Sequence, residues 1–171
     1  NYNHMVLLAK DYKGYQNLVK LCSIGHTEGF YYKPRIDSEI LKHYSEGLVC
    51  LSACAGGVVS SHIASGNFAA AKEAAEIYKD IFGPEDFYLE IQNHGMEIEA
   101  KIREHVPKLA KELGLKIIAT NDIHYIKYED HIPHNLYLYI STDLSKDKEG
   151  KNLEKELRYE TDQVYFKSAE E

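Results

Sequence analysis

Leu115-Lys116-Ile117-Ile118-Ala119-Thr120, followed at once by Asn121-Asp122-Ile123-His124, is the stretch on which the fold turns. Its first half is a short apolar run behind Gly114, the pattern of a buried strand. Its second half delivers a carboxylate and an imidazole at the strand's carboxyl end, where parallel α/β sheets place their sites. Residues two apart in extended chain point the same way, so Asp122 and His124 can address one ion. An Asx turn, or a carboxylate that merely orients a histidine, fits the same four residues.

Upstream, strand and helix patterns alternate. Ile98, Ile102, Val106, Leu109 and Leu113 mark a helix, which Pro107 should kink or divide because an interior proline costs about 3 kcal/mol. Phe87–Gln92 reads as a strand closed by Asn93-His94-Gly95. Asn67 caps a helix whose stripe is Ala71, Ala74, Ala75, Tyr78, Ile81 and Phe82, and Gly83-Pro84 stops it. Val58–Ala64 is a short helix. Gly47–Ser52 is a strand that runs into Ala53-Cys54-Ala55-Gly56-Gly57, small residues suited to a tight turn. His4–Ala9 is a further apolar strand. The helix after it carries Tyr15, Leu18 and Cys22 on one face, with Leu21 beside them, and Gly29–Arg35 is an ordered loop. Downstream, Asp130 caps a helix with Pro133 in its first turn and apolar residues through Ile140. Asp143–Glu156 is a charged linker, and Gln163–Lys167 is a short strand. Strands spaced by helices imply parallel β-α units. Four such units make about half of an eight-stranded barrel of roughly 250 residues, so a longer natural protein is expected.

The chain has 171 residues, 44% apolar and 27% charged, the profile of a soluble globular domain. Its formal charge of −7 lacks the basic excess of a stand-alone DNA-binding module. Any contact with nucleic acid is expected at a local site or through neighbours. Acidity also suits a domain that gathers divalent cations. No apolar run approaches the roughly 18 residues of a membrane span, and no basic-then-apolar leader opens the chain, so no membrane partner and a cytoplasmic location are expected. Cys22, Cys50 and Cys54 are an odd set without paired spacing, which argues against a disulfide scaffold.

Cys54 stands at the end of its strand in the glycine-rich turn. It is either a thiolate ligand suited to zinc or a small core residue. Cys22 and Cys50 read as core. His94 is a metal ligand, a donor behind one, a phosphate contact or a turn histidine. Lys33 and Arg35, stiffened by Pro34 and flanked by Tyr31 and Tyr32, could clamp a phosphate or stack on a base, or form a solvated loop or a domain contact. His4 by itself reads as a partly exposed histidine. His26, His43, His62, His105, His131 and His134 read as surface or interhelix residues. Walker loop, nucleophile elbow and dinucleotide fingerprint are absent.

Several segments in order resemble the PHP (polymerase and histidinol phosphatase) domain of the bacterial DNA polymerase III alpha subunit. They are His4–Lys10, Gly14–Leu18, Glu28–Asp37, Gly47–Cys54, Tyr88–Glu90 with His94-Gly95, and Ala119–Tyr125, with Arg158–Ser168 resembling the exit toward the polymerase palm. The resemblance implies α/β architecture: part of a distorted (β/α)7 barrel with parallel strands, plus a C-terminal helical and linker extension. It implies a PHP domain over residues 1–127 and an exit region over 128–171. It places His4, Cys54, Asp122 and His124 on ligand positions for a divalent metal (zinc, manganese or magnesium). The family's opening His-x-His motif and its next ligands, and the palm aspartates, are expected outside the chain at either end.

The function so implied is that of a piece of a replicative DNA-directed DNA polymerase, a nucleotidyltransferase. Its PHP module carries a partial metal site for a 3′-to-5′ exonuclease or phosphoesterase, with His94 and Arg35 as phosphate contacts. DNA and other replisome subunits are the implied partners. The piece alone is expected to be inactive as a polymerase, weakly active at best as a nuclease, and prone to self-association through its open edges. Two alternatives stand beside this: a metal-stapled scaffold that braces the polymerase without catalysis, and a stand-alone PHP small-phosphate phosphatase.

Overall fold

The computed structural model describes residues 2–141, 161–168 and 170–171. The chain divides into two compact units: Asn1–Ile91 with Lys101–Ala119, and Gln92–Ala100 with Thr120–Glu171.

The first unit holds a four-stranded sheet in the order β1 (Val6–Ala9), β2 (Leu48–Leu51), β3 (Phe87–Ile91), β4 (Lys116–Ala119). β2 pairs with β3 and β3 with β4 in parallel, as the alternating pattern predicts. The β1–β2 pair is antiparallel, with Val6 opposite Leu51 and Ala9 opposite Leu48, which departs from the expected all-parallel set. The connection explains it. A single crossover helix returns the chain for a parallel strand. Here α1 (Tyr12–Thr27) is followed by a second helix, α2 (Ser38–His43), absent from the sequence reading, and the chain enters β2 from the other end. An antiparallel strand at the edge of a parallel sheet is a common solution.

Burial follows position in the sheet. Phe87, Leu89 and Cys50 on the two central strands are fully buried, whereas Val6 and Leu8 on β1 and Ile117 on β4 are exposed. Each fully buried large side chain contributes about 1.5–3 kcal/mol over its exposed state. Leu21, Leu41 and Leu48 form a core cluster that brings α1, α2 and β2 together, with Met5, Leu7, Tyr78 and Phe82 against it. α1 buries Gly14, Asn17, Leu21, Ile24 and Gly25. Leu21 is buried and Leu18 packs against the cluster as expected, but Tyr15 and Cys22 are exposed, because Gly14 lies against Gly47, where a Cβ would stand 1.9 Å from the Gly47 carbonyl oxygen. That close approach turns the buried face so that Gly14 and Asn17 share it with Leu21 and Ile24.

The remaining helices of the sheet unit lie close to their expected places. They are α3 (Val58–Ala64), α4 (Phe68–Phe82) and most of α5 (Glu97–Leu113). Asn67 caps α4 by accepting from the Ala70 N–H, and Gly83 ends it at φ +80°. α5 runs uninterrupted through Pro107, so the proline does not divide it. Gly114, at φ +63°, lets the Leu115 N–H return to the Ala110 carbonyl, a Schellman closure that turns the chain into β4.

In the second unit, a short 3₁₀ turn (Tyr128–Asp130) leads into α6 (His131–Ser141). The expected strand at Gln163–Lys167 is a single bridge, Tyr125 to Tyr165. The charged linker expected at Asp143–Glu156 lies outside the described residues. Among the described residues, no helix is long and apolar enough to cross a membrane.

Candidate metal centre

In the first unit, the residues after β2 form a tight turn. Ala53 takes φ +65°, and Gly57 passes so close to the Ser52 carbonyl that a Cβ there would stand 2.0 Å from its oxygen. The turn is paired with the chain before β1. The His4 N–H donates to the Gly56 carbonyl at 2.9 Å, and His4 bridges to Gly57 in parallel register. The result is a thiol facing an imidazole: Cys54 Sγ lies 3.6 Å from His4 Nδ1.

That separation is chemically informative. Zinc–sulfur and zinc–nitrogen bonds at a tetrahedral angle put the two donor atoms about 3.6 Å apart. The same distance is that of a thiol–imidazole hydrogen bond, the contact His4 and Cys54 make here. A cavity of about 400 Å³ is lined by His4, Asn3, Tyr2, Arg35 and Asp37 among others, without Cys54. Arg35 shares that cavity with His4, and its guanidinium lies 4.9 Å from the centre of the Tyr31 ring.

In the second unit, the loop from Thr120 to Tyr125 carries Asp122 and His124. His124 Nδ1 lies 2.9 Å from the Asp122 carbonyl oxygen and 4.0 Å from its carboxylate Oδ1. The carbonyl draws the proton to Nδ1, so the lone pair of the ring sits on Nε2, the common arrangement for an imidazole ligand. His134 is next to it, with ring centroids 5.8 Å apart. Burial, and then the neighbouring His124, hold the His134 imidazole below its ordinary range. From the sequence His134 reads as a surface or interhelix residue; α6 brings it to this loop.

His94 is 1% exposed. Its Nδ1 donates to Glu99 Oε1 at 2.6 Å and its backbone N–H to Glu99 Oε2 at 2.7 Å. Its Nε2 is enclosed by Asn121 Oδ1 at 2.6 Å and by the donating Asp122 N–H at 3.1 Å. Both ring nitrogens are engaged within the protein, and through the Asp122 N–H His94 is tied to the Asp122 loop.

The segment 161–168 closes the same loop from the other side. The Thr161 hydroxyl donates to the His94 carbonyl, and Asn121 donates to the Tyr165 carbonyl. The His124 N–H donates to Val164 O at 2.8 Å, and the Val164 side chain is fully buried. The Tyr125 hydroxyl donates to the Asp162 carbonyl. Glu99, Thr161 and Val164 escaped the sequence reading. Glu99 is one acidic residue in the first turn of an amphipathic helix, and Thr161 lies far along the chain from His94.

Among the described residues, no group of three or more His, Cys, Asp or Glu side chains is arranged to hold a metal ion. What the structure brings together is two pairs, thiol with imidazole and carboxylate with imidazole. The donor types in each pair are ones that bind divalent cations.

Comparison with known proteins agrees with the fold. The model of the PHP domain matches residues 1–94. The chain is 44% identical over 168 residues to the DNA polymerase III subunit alpha of Borreliella burgdorferi, covering 98% of this chain and 14% of that protein. It is 38% identical over 169 residues to the same subunit of Treponema pallidum, covering 99% and 14%. It is 39% identical over 170 residues to that of Thermus aquaticus, covering 99% and 13%. The chain thus spans about 14% of the length of the first of these relatives. An α/β chain with a parallel-rich sheet, matched by the family model over more than half its length, belongs to the PHP domain family.

Proposed function

We propose that this chain works as the PHP module of a DNA polymerase III alpha subunit, within a cytoplasmic replication machine that extends DNA. The support is similarity over nearly the whole chain to proteins of that name. Nucleotide addition belongs to other parts of such a protein, and DNA and replisome subunits are its partners. The division at residue 127 between PHP module and exit region is part of this proposal.

Within the module, His4 and Cys54 are ligands of a divalent metal, zinc by the softness of the thiol, and Asp122 and His124 are metal ligands in their own unit. The observation that carries this is the 3.6 Å spacing of Cys54 Sγ and His4 Nδ1. When bound, such an ion lowers the pKa of its water and neutralises phosphate oxygens, the chemistry of phosphodiester hydrolysis. Arg35, on the cavity that His4 lines, contacts the phosphate. His94, tied to Glu99, positions Asp122 through its backbone N–H. The activity is a 3′-to-5′ exonuclease.

A second reading is a metal staple. The His4 backbone is already paired to Gly56 and Gly57, so an ion on His4 and Cys54 would weld the chain before β1 to the turn after β2 without any chemistry. A stand-alone small-phosphate phosphatase is disfavoured by the docking of residues 161–168 on the Asp122 loop.

Cobalt substitution separates these ideas. The full chain titrated with Co²⁺ should develop a thiolate-to-cobalt charge-transfer band that Cys54→Ser and His4→Ala each remove. Absence of the band refutes the metal reading. If the band forms but Asp122→Ala leaves 3′-end degradation by the intact polymerase unchanged, the metal is a staple.

A further inference from the structure

The loop after α1 is a built projection. At its neck, Gly29 meets Arg35 so closely that a Cβ on Gly29 would stand 1.9 Å from the Arg35 carbonyl oxygen. Helix α1 anchors the near side, since the Gly29 N–H donates to Ile24 O. At its tip, the Tyr31 N–H donates to the Lys33 carbonyl, and Tyr32 takes φ +60°. A bulky side chain at that φ is strained, and strain of this kind persists where surrounding structure enforces it.

What the strain exposes is aromatic. Tyr32 is 84% exposed and Tyr31 64%, with Phe30 exposed beside them. The two tyrosine rings meet edge to face at 4.6 Å. The cations are placed on aromatic faces: Lys33 Nζ lies 5.0 Å from the Tyr2 ring and the Arg35 guanidinium 4.9 Å from the Tyr31 ring. Residues 29–36 carry two cations and no carboxylate, in a chain whose formal charge is −7. Among the described residues, neither cation forms an ion pair within the chain. Pro34 and Arg35 form the rim where this loop meets the cavity that His4 lines.

Exposed rings with preset cations and an adjoining cavity match one ligand chemistry: unpaired bases that stack, joined by phosphates. A duplex hides its base faces and offers such a loop only its backbone. We propose that the Phe30–Arg35 loop binds a single-stranded nucleic acid, with a base stacked on Tyr32 and a backbone phosphate on Lys33 and Arg35, and leads its end toward the cavity beside His4. This rests on the polymerase-module reading for the direction in which the strand is led, but not on any metal or hydrolysis.

The test is fluorescence anisotropy of a labelled short oligodeoxythymidylate with the full chain, at low salt and with EDTA present. Tyr32→Ala should weaken binding about tenfold, while Tyr32→Phe, which keeps the ring, should bind as the parent does. Lys33→Ala and Arg35→Ala should each weaken binding and lower the salt dependence by about one counterion. The corresponding duplex should bind more weakly and lose nothing with Tyr32→Ala. Far-ultraviolet circular dichroism checks that these exposed substitutions leave the fold intact. Equal binding by Tyr32→Ala and the parent overturns the proposal, as does an oligonucleotide that fails to bind, which would leave the loop to a protein contact. Binding that EDTA abolishes also overturns it, because the strand would then be held by metal and not by the loop.

Discussion

Glu99→Ala tests whether the Asp122 loop is held as described. Glu99 lies in the first turn of α5, where the helix dipole favours a carboxylate. Its two oxygens receive the His94 N–H at 2.7 Å and His94 Nδ1 at 2.6 Å, and both side chains are 2% exposed or less. Each is a hydrogen bond to a charged group, worth about 1.5–3 kcal/mol. Alanine removes both and strands two buried donors, so a loss of about 3–5 kcal/mol is expected. For a chain of 171 residues each kcal/mol moves the midpoint by about 2–4 °C, which puts the fall in Tm on the order of 10 °C. Glu99→Gln keeps one acceptor but turns an amide N–H toward Nδ1, and should lose about half as much. Calorimetry gives the midpoints. Amide hydrogen exchange at Asp122 and His124 gives the local effect, because His94 Nε2 and Val164 O are their acceptors. A Glu99→Ala chain that melts like the parent, with unchanged protection at those two amides, would refute the reasoning.

Three further outcomes are expected. Burial, and then the Glu90 carboxylate, push the Cys50 thiol up to about 12 from 9.0. Between these values the unfolded chain has released a proton that the folded chain keeps, so stability should fall by about 1.4 kcal/mol per pH unit from about pH 9 to 12. Cys50→Ala should flatten that fall in urea titrations across the range. Alkylation of the native chain at neutral pH, read by mass spectrometry, should label Cys22 first and Cys50 last, with Cys54 protected by added Zn²⁺. Thr161→Val deletes a buried hydroxyl that donates to the His94 carbonyl at 2.6 Å; a loss of about 1–3 kcal/mol is expected in urea unfolding, with faster exchange at His124.

Much of this molecule was legible from local pattern. The helices α3, α4 and α5, the strands β2, β3 and β4, and the delivery of Asp122 and His124 at a strand end follow from periodicity, caps and glycine stops acting over a few residues. The tyrosine-rich basic loop and its proline were visible in the same way. Pairing His4 with Cys54 was not: the residues themselves marked His4 as an ordinary exposed histidine, and only the family resemblance raised it to a ligand.

Tertiary structure decided what depends on distant parts of the chain. The β1–β2 pair runs antiparallel because a second helix intervenes. The contact with Gly47 puts Gly14 and Asn17 on the buried face of α1 beside Leu21 and Ile24 and leaves Tyr15 and Cys22 outside. Cys54 meets His4 because backbone pairing brings the chain start to the glycine turn. Glu99, Thr161 and Val164 hold the Asp122 loop through buried hydrogen bonds and packing that no local spacing encodes. Sequence determines elements because backbone propensity and amphipathic period act over a few residues. A site made by elements far apart in the chain exists only when packing closes the loops between them.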